Sequence, residues 1–321
     1  MTRILAVLLF ALALRAQTSV QDPKLLLRDV QIAIGNRDLV EAYDSASKLD
    51  DSIQAHLRAL MTRDLRQRVD EVLGWMPATT ESVIVGQEPF VIETNSLRPE
   101  VAYLLNRVPV LNDGAIFNAL RGRTVRIAAV GASEFHERPA AGGVTAFYVF
   151  TGNLMPDFLG APEQDVLGRP VWRAAAGREG QMFLTLGRPN LLVIASTRDL
   201  ITDALIRIVK RSLPAALSAA MPEWSEIDRA SGFWAFRHIP DNRDPATSGL
   251  TVNFDIARMI LDVRVLSSSN RMAASVERIA SREFQVDRTR LGVLQLKSNL
   301  RERGPSPFGA AMALLGFGSY Q

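Results

Sequence analysis

Three histidines are the only imidazoles in a chain of 321 residues, and there is no cysteine. Without a thiol there is no cysteine nucleophile, thiolate metal site, redox pair or disulfide framework. Acid/base or ligand chemistry is therefore sought around His56, His136 and His238. His136 stands in Ser133-Glu134-Phe135-His136-Glu137-Arg138, directly before Pro139-Ala140-Ala141-Gly142-Gly143. On an extended strand Glu134 and His136 project to one face. There a carboxylate and an imidazole form an acid/base couple, and the glycines let a ligand approach. Glu134, His136 and Glu137 are thus the candidate catalytic residues of an exported hydrolase. The same charges suit a solvated hairpin end, and two ligands fall short of a metal site. No metal and no cofactor are expected.

His238 closes the run Phe233-Trp234-Ala235-Phe236-Arg237-His238. Trp234, Phe236 and His238 share one face of a strand, a stripe that could stack on a sugar or another planar ligand, with Asp241 or Asp244 orienting the imidazole. Phe233, Ala235 and Ile239 make the other face apolar too, as in a central strand packed on both sides, with Trp224 in the same core. His56 lies on a helix near Asp51 and Gln54 and reads as a boundary residue. No phosphate-binding glycine loop, GxSxG elbow, HExxH pair or EF-hand loop occurs. The leading expectation is a non-catalytic protein that binds a ligand or partner, or serves a structural role.

These residues must be positioned by an exported chain. Met1-Thr2-Arg3, an apolar run over 4–14 and Arg15-Ala16 have the layout of a secretory signal peptide cut after Ala16. The run is too short to span a bilayer, which needs about 20 apolar residues. A periplasmic or extracellular protein with no transmembrane segment in its mature chain is expected. Losing Arg3 and Arg15 reduces the balance from 37 basic against 34 acidic side chains to 35 against 34. The sequence pI near 9.5 is thus largely a targeting device. Arg63, Arg66 and Arg68 are interleaved with Asp64, Asp70 and Glu71, the pattern of a solvated helix face, and no nucleic-acid partner is expected.

Residues 17–76 read as helical. One stripe runs through Leu39, Val40, Tyr43, Ala46 and Leu49; a second helix starts at Asp51 with Ile53, Leu57, Leu60, Met61, Leu65, Val69, Val72 and Leu73, and Pro77 closes it. Docking of helices 22–76 on an envelope protein is a second alternative function. Residues 77–213 form a first α+β half, with helices near 98–107, 113–121 and 198–211, the last capped by Ser196 or Thr197. In it 144–150 and 191–195 are apolar on both faces and belong in the covered middle of a sheet. Pro214 to Pro222 is the boundary to a second half, 214–321. There Leu250, Val252, Phe254 and Ile256 alternate with Thr251, Asn253 and Asp255, and 259–265 alternate likewise, as in half-buried strands. A helix over 271–281, a hairpin around Asp287 to Arg290 and a last helix with Ser306 as cap and Pro307 first complete the chain. The apolar decamer 308–317 belongs to that helix as core. The fold class is α+β: an N-terminal helical segment followed by two mainly antiparallel sheet-plus-helix halves. Both halves run strands then helix, the order a distant duplication leaves, without a residue-level repeat.

Leu73-Gly74-Trp75-Met76-Pro77 followed by Glu81-Ser82-Val83-Ile84-Val85, and Leu191-Leu192-Val193-Ile194-Ala195 leading into Asp199-Leu200-Ile201, resemble uncharacterised exported proteins of high-GC bacteria. That resemblance implies an exported protein of this general plan and transfers no catalytic residue.

Overall fold

The structure is a computed structural model that describes residues 23–35, 39–93, 98–106, 108–112, 114–133, 143–175, 181–210, 217, 222–238, 247–267, 283–290 and 292–315. Two compact units divide the chain, residues 1–68 and 69–321. The first holds α1 (Pro23–Gly35) and most of α2 (Leu39–Gly74). Leu26, Val30 and Ala33 recur at helical spacing on α1 and are buried, whereas Leu25 and Ile32 are exposed. Where two helices were expected on either side of Asp51, α2 runs unbroken. Asp50-Asp51 resembles a cap, yet no glycine or proline interrupts 39–73, so nothing stops the backbone ladder. Of the expected stripe, Leu65 is half-buried and Val69, Val72 and Leu73 are buried; the side chains of Ile53, Leu57, Leu60 and Met61 lie outside the description.

The second unit is α+β. Its thirteen described strands form one sheet in which every pairing is antiparallel. They are β1 (Thr80–Gly86), β2 (Phe90–Val91), β3 (Thr124–Ser133), β4 (Gly143–Phe150), β5 (Gln164–Val166), β6 (Arg169–Ala175), β7 (Gln181–Arg188), β8 (Leu191–Ala195), β9 (Phe233–His238), β10 (Thr247–Asp255), β11 (Ile260–Ser267), β12 (Gln285–Arg290) and β13 (Val293–Asn299). Helices α3 (Pro99–Asn106), α4 (Gly114–Leu120), α5 (Arg198–Val209), α6 (Leu300–Arg303) and α7 (Ser306–Leu314) complete the unit.

The expected halves share this one sheet, joined where β1 pairs with β9. Outward from that seam the order is β1-β3-β4-β8-β7-β6-β5 on one side and β9-β10-β11-β13-β12 on the other. In each, a meander is followed by a hairpin whose second strand returns beside it. The helices do not follow the repeat. Ile208 of α5 meets the Phe147 side of β7 at Gly187, whereas Phe308 of α7 packs on Phe233, Phe254 and Tyr103 of the opposite side. Helix α5 starts as expected, with the Thr197 hydroxyl accepting from Leu200 N at 3.3 Å. The hairpin expected around Asp287 to Arg290 turns just beyond it, at Gly292, whose φ of 78° favours glycine. Ser306 lies inside α7, after Pro305, and makes no side-chain cap. The stretch 271–281 lies outside the described residues.

Strands β4, β8 and β9 occupy the middle, as their two-faced apolar composition requires. Tyr148 of β4 is fully buried, and its hydroxyl donates to the Leu104 carbonyl at 2.7 Å. Tyr148→Phe is expected to cost about 1–1.5 kcal/mol, because that carbonyl loses its donor. Burial also pushes the Tyr148 hydroxyl far above its ordinary range. An unfolded chain ionises its tyrosines near pH 10, so this group's contribution is complete below about pH 10 and is lost as pH rises beyond it. Urea melts at pH 9 and pH 11 should show that alkaline loss shrinking in Tyr148→Phe; an unchanged loss would remove Tyr148 as its source.

Candidate functional site

One row of directly opposed residues crosses the sheet through Val193, Phe147, Ala129, Val85, Trp234, Asn253, Asp262 and Lys297. The row turns from apolar to polar just past the seam. On this side, β9 and β10 are overlaid by a single 3-10 turn, Pro222–Glu226. Thr251 and Asn253 of β10 are therefore buried, not solvent-facing as their alternation suggests. The turn lies at the end of the alanine-rich stretch expected to be a boundary.

Glu223 of this turn is fully buried, and its Oε1 lies 3.0 Å from His238 Nδ1. The contact ties the imidazole at the end of β9 to the carboxyl group of the turn. The His238 side chain is 30% exposed. Gly249, opposite His238 in β10, makes room for the carboxyl group: a Cβ there would lie 2.6 Å from both Cγ and Cδ of Glu223.

Trp224 lies against the strand below, its ring 6.0 Å from Trp234 and 5.1 Å from Phe236. Trp234 and Phe236 have no exposed surface. The stripe Trp234-Phe236-His238 is thus corrected: two members are core beneath Trp224, and only His238 reaches solvent. The Arg229 guanidinium sits 5.5 Å over Trp224 and pairs with Asp70.

Beside this lies an ionic cluster. Arg264 of β11 reaches Glu226 at 2.6 Å and Asp262 at 3.0 Å, and Gln295 donates to Asp262 at 2.8 Å. Burial acts to lower the Arg264 pKa, but the hydrogen bonds and charges of Glu226 and Asp262 prevail and hold it above its ordinary range. Asn253 fastens the turn: Nδ2 donates to the Glu226 carbonyl at 3.0 Å, and Oδ1 accepts from Asp228 N at 2.7 Å.

Glu134, His136 and Glu137 lie outside the described residues, as do Asp241, Asp244 and the His56 side chain. The partner that orients His238 is Glu223. Its signal in the sequence was Gly249, an isolated glycine inside an alternating strand, which marks a close approach. Among the described residues no group of three or more His, Asp or Glu is placed to hold a metal ion. No described helix is long and apolar enough to cross a membrane.

No protein-family model matches the chain, and no curated protein matches it. Among solved structures, crystal forms I and III of TP0453 each align with a TM-score of 0.41 and 11% identity, over 74% of this chain and 96% of that one.

Proposed function

We propose that this is an exported α+β protein that binds a ligand, without catalysis, at the His238 end of β9. The observation that supports it is the Glu223–His238 pair: a buried carboxyl group seated over a glycine holds an imidazole whose side chain is 30% exposed. Such an arrangement supplies an oriented hydrogen-bonding group at a rigid strand end. Export is supported by the charged, apolar and small-residue succession over residues 1–16.

Each element has its own test. Residues 1–24 fused to leaderless alkaline phosphatase should give active, processed enzyme outside the cytoplasm; a wholly cytoplasmic, full-length fusion defeats the export reading. Native mass spectrometry of the chain recovered from its own envelope should show a small molecule that His238→Ala sheds. An adduct kept by that variant places the ligand elsewhere.

A further inference from the structure

Five buried side-chain atoms around the Pro222–Glu226 turn have no hydrogen-bond partner among the described residues: Glu223 Oε2, Trp224 Nε1, Arg229 Nε, Trp234 Nε1 and Thr251 Oγ1. Native interiors leave few such atoms, and each calls for a physical explanation. Here all five lie where one short element meets the sheet. Trp224 rests on the Trp234 and Phe236 rings, Thr251 is opposite Phe236, and Arg229 lies over Trp224. With the turn seated, these atoms forgo water and gain no partner in exchange, a standing penalty on the closed form. Lifting the turn returns them to water. Against that stands only the wetting of the rings beneath Trp224.

The polar ties of the turn are at its rim. The His238 and Arg264 side chains that hold Glu223 and Glu226 are 30% and 28% exposed, so water can take over those bonds. The chain that follows is fixed more deeply. The buried Gln87 amide donates to the Arg229 and Ser231 carbonyls at 2.8 and 2.5 Å, and the Ser231 hydroxyl donates to the Phe254 carbonyl at 2.8 Å. A hinge therefore falls between Glu226 and Arg229. In the first half the same side of the sheet lies under α5, which buries Ile201, Ala204, Leu205 and Ile208; the turn has no such apolar run. We propose that the Pro222–Glu226 turn is a lid: in the native state it lifts from β9 and β10 while the sheet stays intact, uncovering Trp234, Phe236 and Thr251. The lid is a property of the chain alone and stands or falls independently of the ligand-binding reading above.

Because the chain has no cysteine, a single introduced thiol reports on one position alone. Thr251 and Val252 are neighbours on β10 with no exposed surface, and they face opposite sides of the sheet, Thr251 under the turn and Val252 in the core with Phe254. Thr251→Cys and Val252→Cys, each in the full mature chain, are reacted with an aromatic disulfide reagent at a series of low urea concentrations. Thr251→Cys should react at least about a hundredfold faster, at a rate that scarcely changes with urea, since lifting the turn exposes far less surface than unfolding does. A Thr251→Cys rate as steep in urea as that of Val252→Cys overturns the lid, whatever the stabilities of the two variants. The unmodified chain supplies a second readout, free of any folding defect. There the indole hydrogen of Trp234 should exchange into deuterated water at least about tenfold faster than the amides that join β9 to β10. An indole hydrogen as slow as those amides overturns the lid as well.

Discussion

Gly249→Ala should lower stability by about 2–4 kcal/mol and disengage His238 from its carboxylate. The added methyl falls where Glu223 Cγ and Cδ lie, 2.6 Å away. The far end of a flexible side chain would yield at little cost, but Glu223 is fully enclosed between its turn and the sheet. To make room it must abandon Nδ1 of His238, leaving a buried carboxylate with neither oxygen paired. Urea denaturation gives the stability change, and the histidine ring resonances show whether His238 has lost its partner. The decisive comparison is Gly249→Ala combined with Glu223→Ala. Once the carboxylate is gone the methyl meets open space, so the double variant should be far less damaged than the summed singles. Additive losses would mean that the glycine serves the backbone of β10 and not Glu223.

Arg264→Met should cost about 3–5 kcal/mol, the effect of removing one partner from a buried ion pair. Glu226 is only 3% exposed and cannot turn to water when the guanidinium is removed, whereas Asp262, 17% exposed, keeps the Gln295 amide. The loss arises from the charges left behind. Accordingly, Arg264→Met with Glu226→Leu should recover most of the stability, since two apolar groups of similar volume need no partner. Equal losses in the single and double variants would show that Arg264 contributes packing alone. This arginine also fastens the turn bearing Glu223 through its contact with Glu226.

Periodicity served best where an element is judged by its own residues. The runs that became β4, β8 and β9 carry apolar side chains on both faces, and the sheet places them in its interior. Thr197 marks the start of α5 because a cap is a local hydrogen bond. What the sequence hid is contributed across distance. Asp50-Asp51 looks like a helix start, but a cap motif stops nothing unless the preceding backbone is also broken. Thr251 and Asn253 alternate as solvent-facing residues do; the turn that buries them follows an alanine-rich stretch with no periodicity. Glu223 and His238 are fifteen positions apart, and their meeting depends on a missing side chain at Gly249.

The seam between β1 and β9 bears on how the chain can be divided. β1 has β3 on one flank and β9 on the other, yet β9 is synthesised some 150 residues after β1 begins. Were the chain cut before β9, Val83, Ile84 and Val85 would border a row of open amide and carbonyl groups, the template for edge-to-edge aggregation. At the finished sheet's outer limits stand instead three-residue β5 and β12 with its charged Asp287, Arg288 and Arg290. Each half therefore protects the other's weakest border, and neither is a module that can be lent to another protein alone.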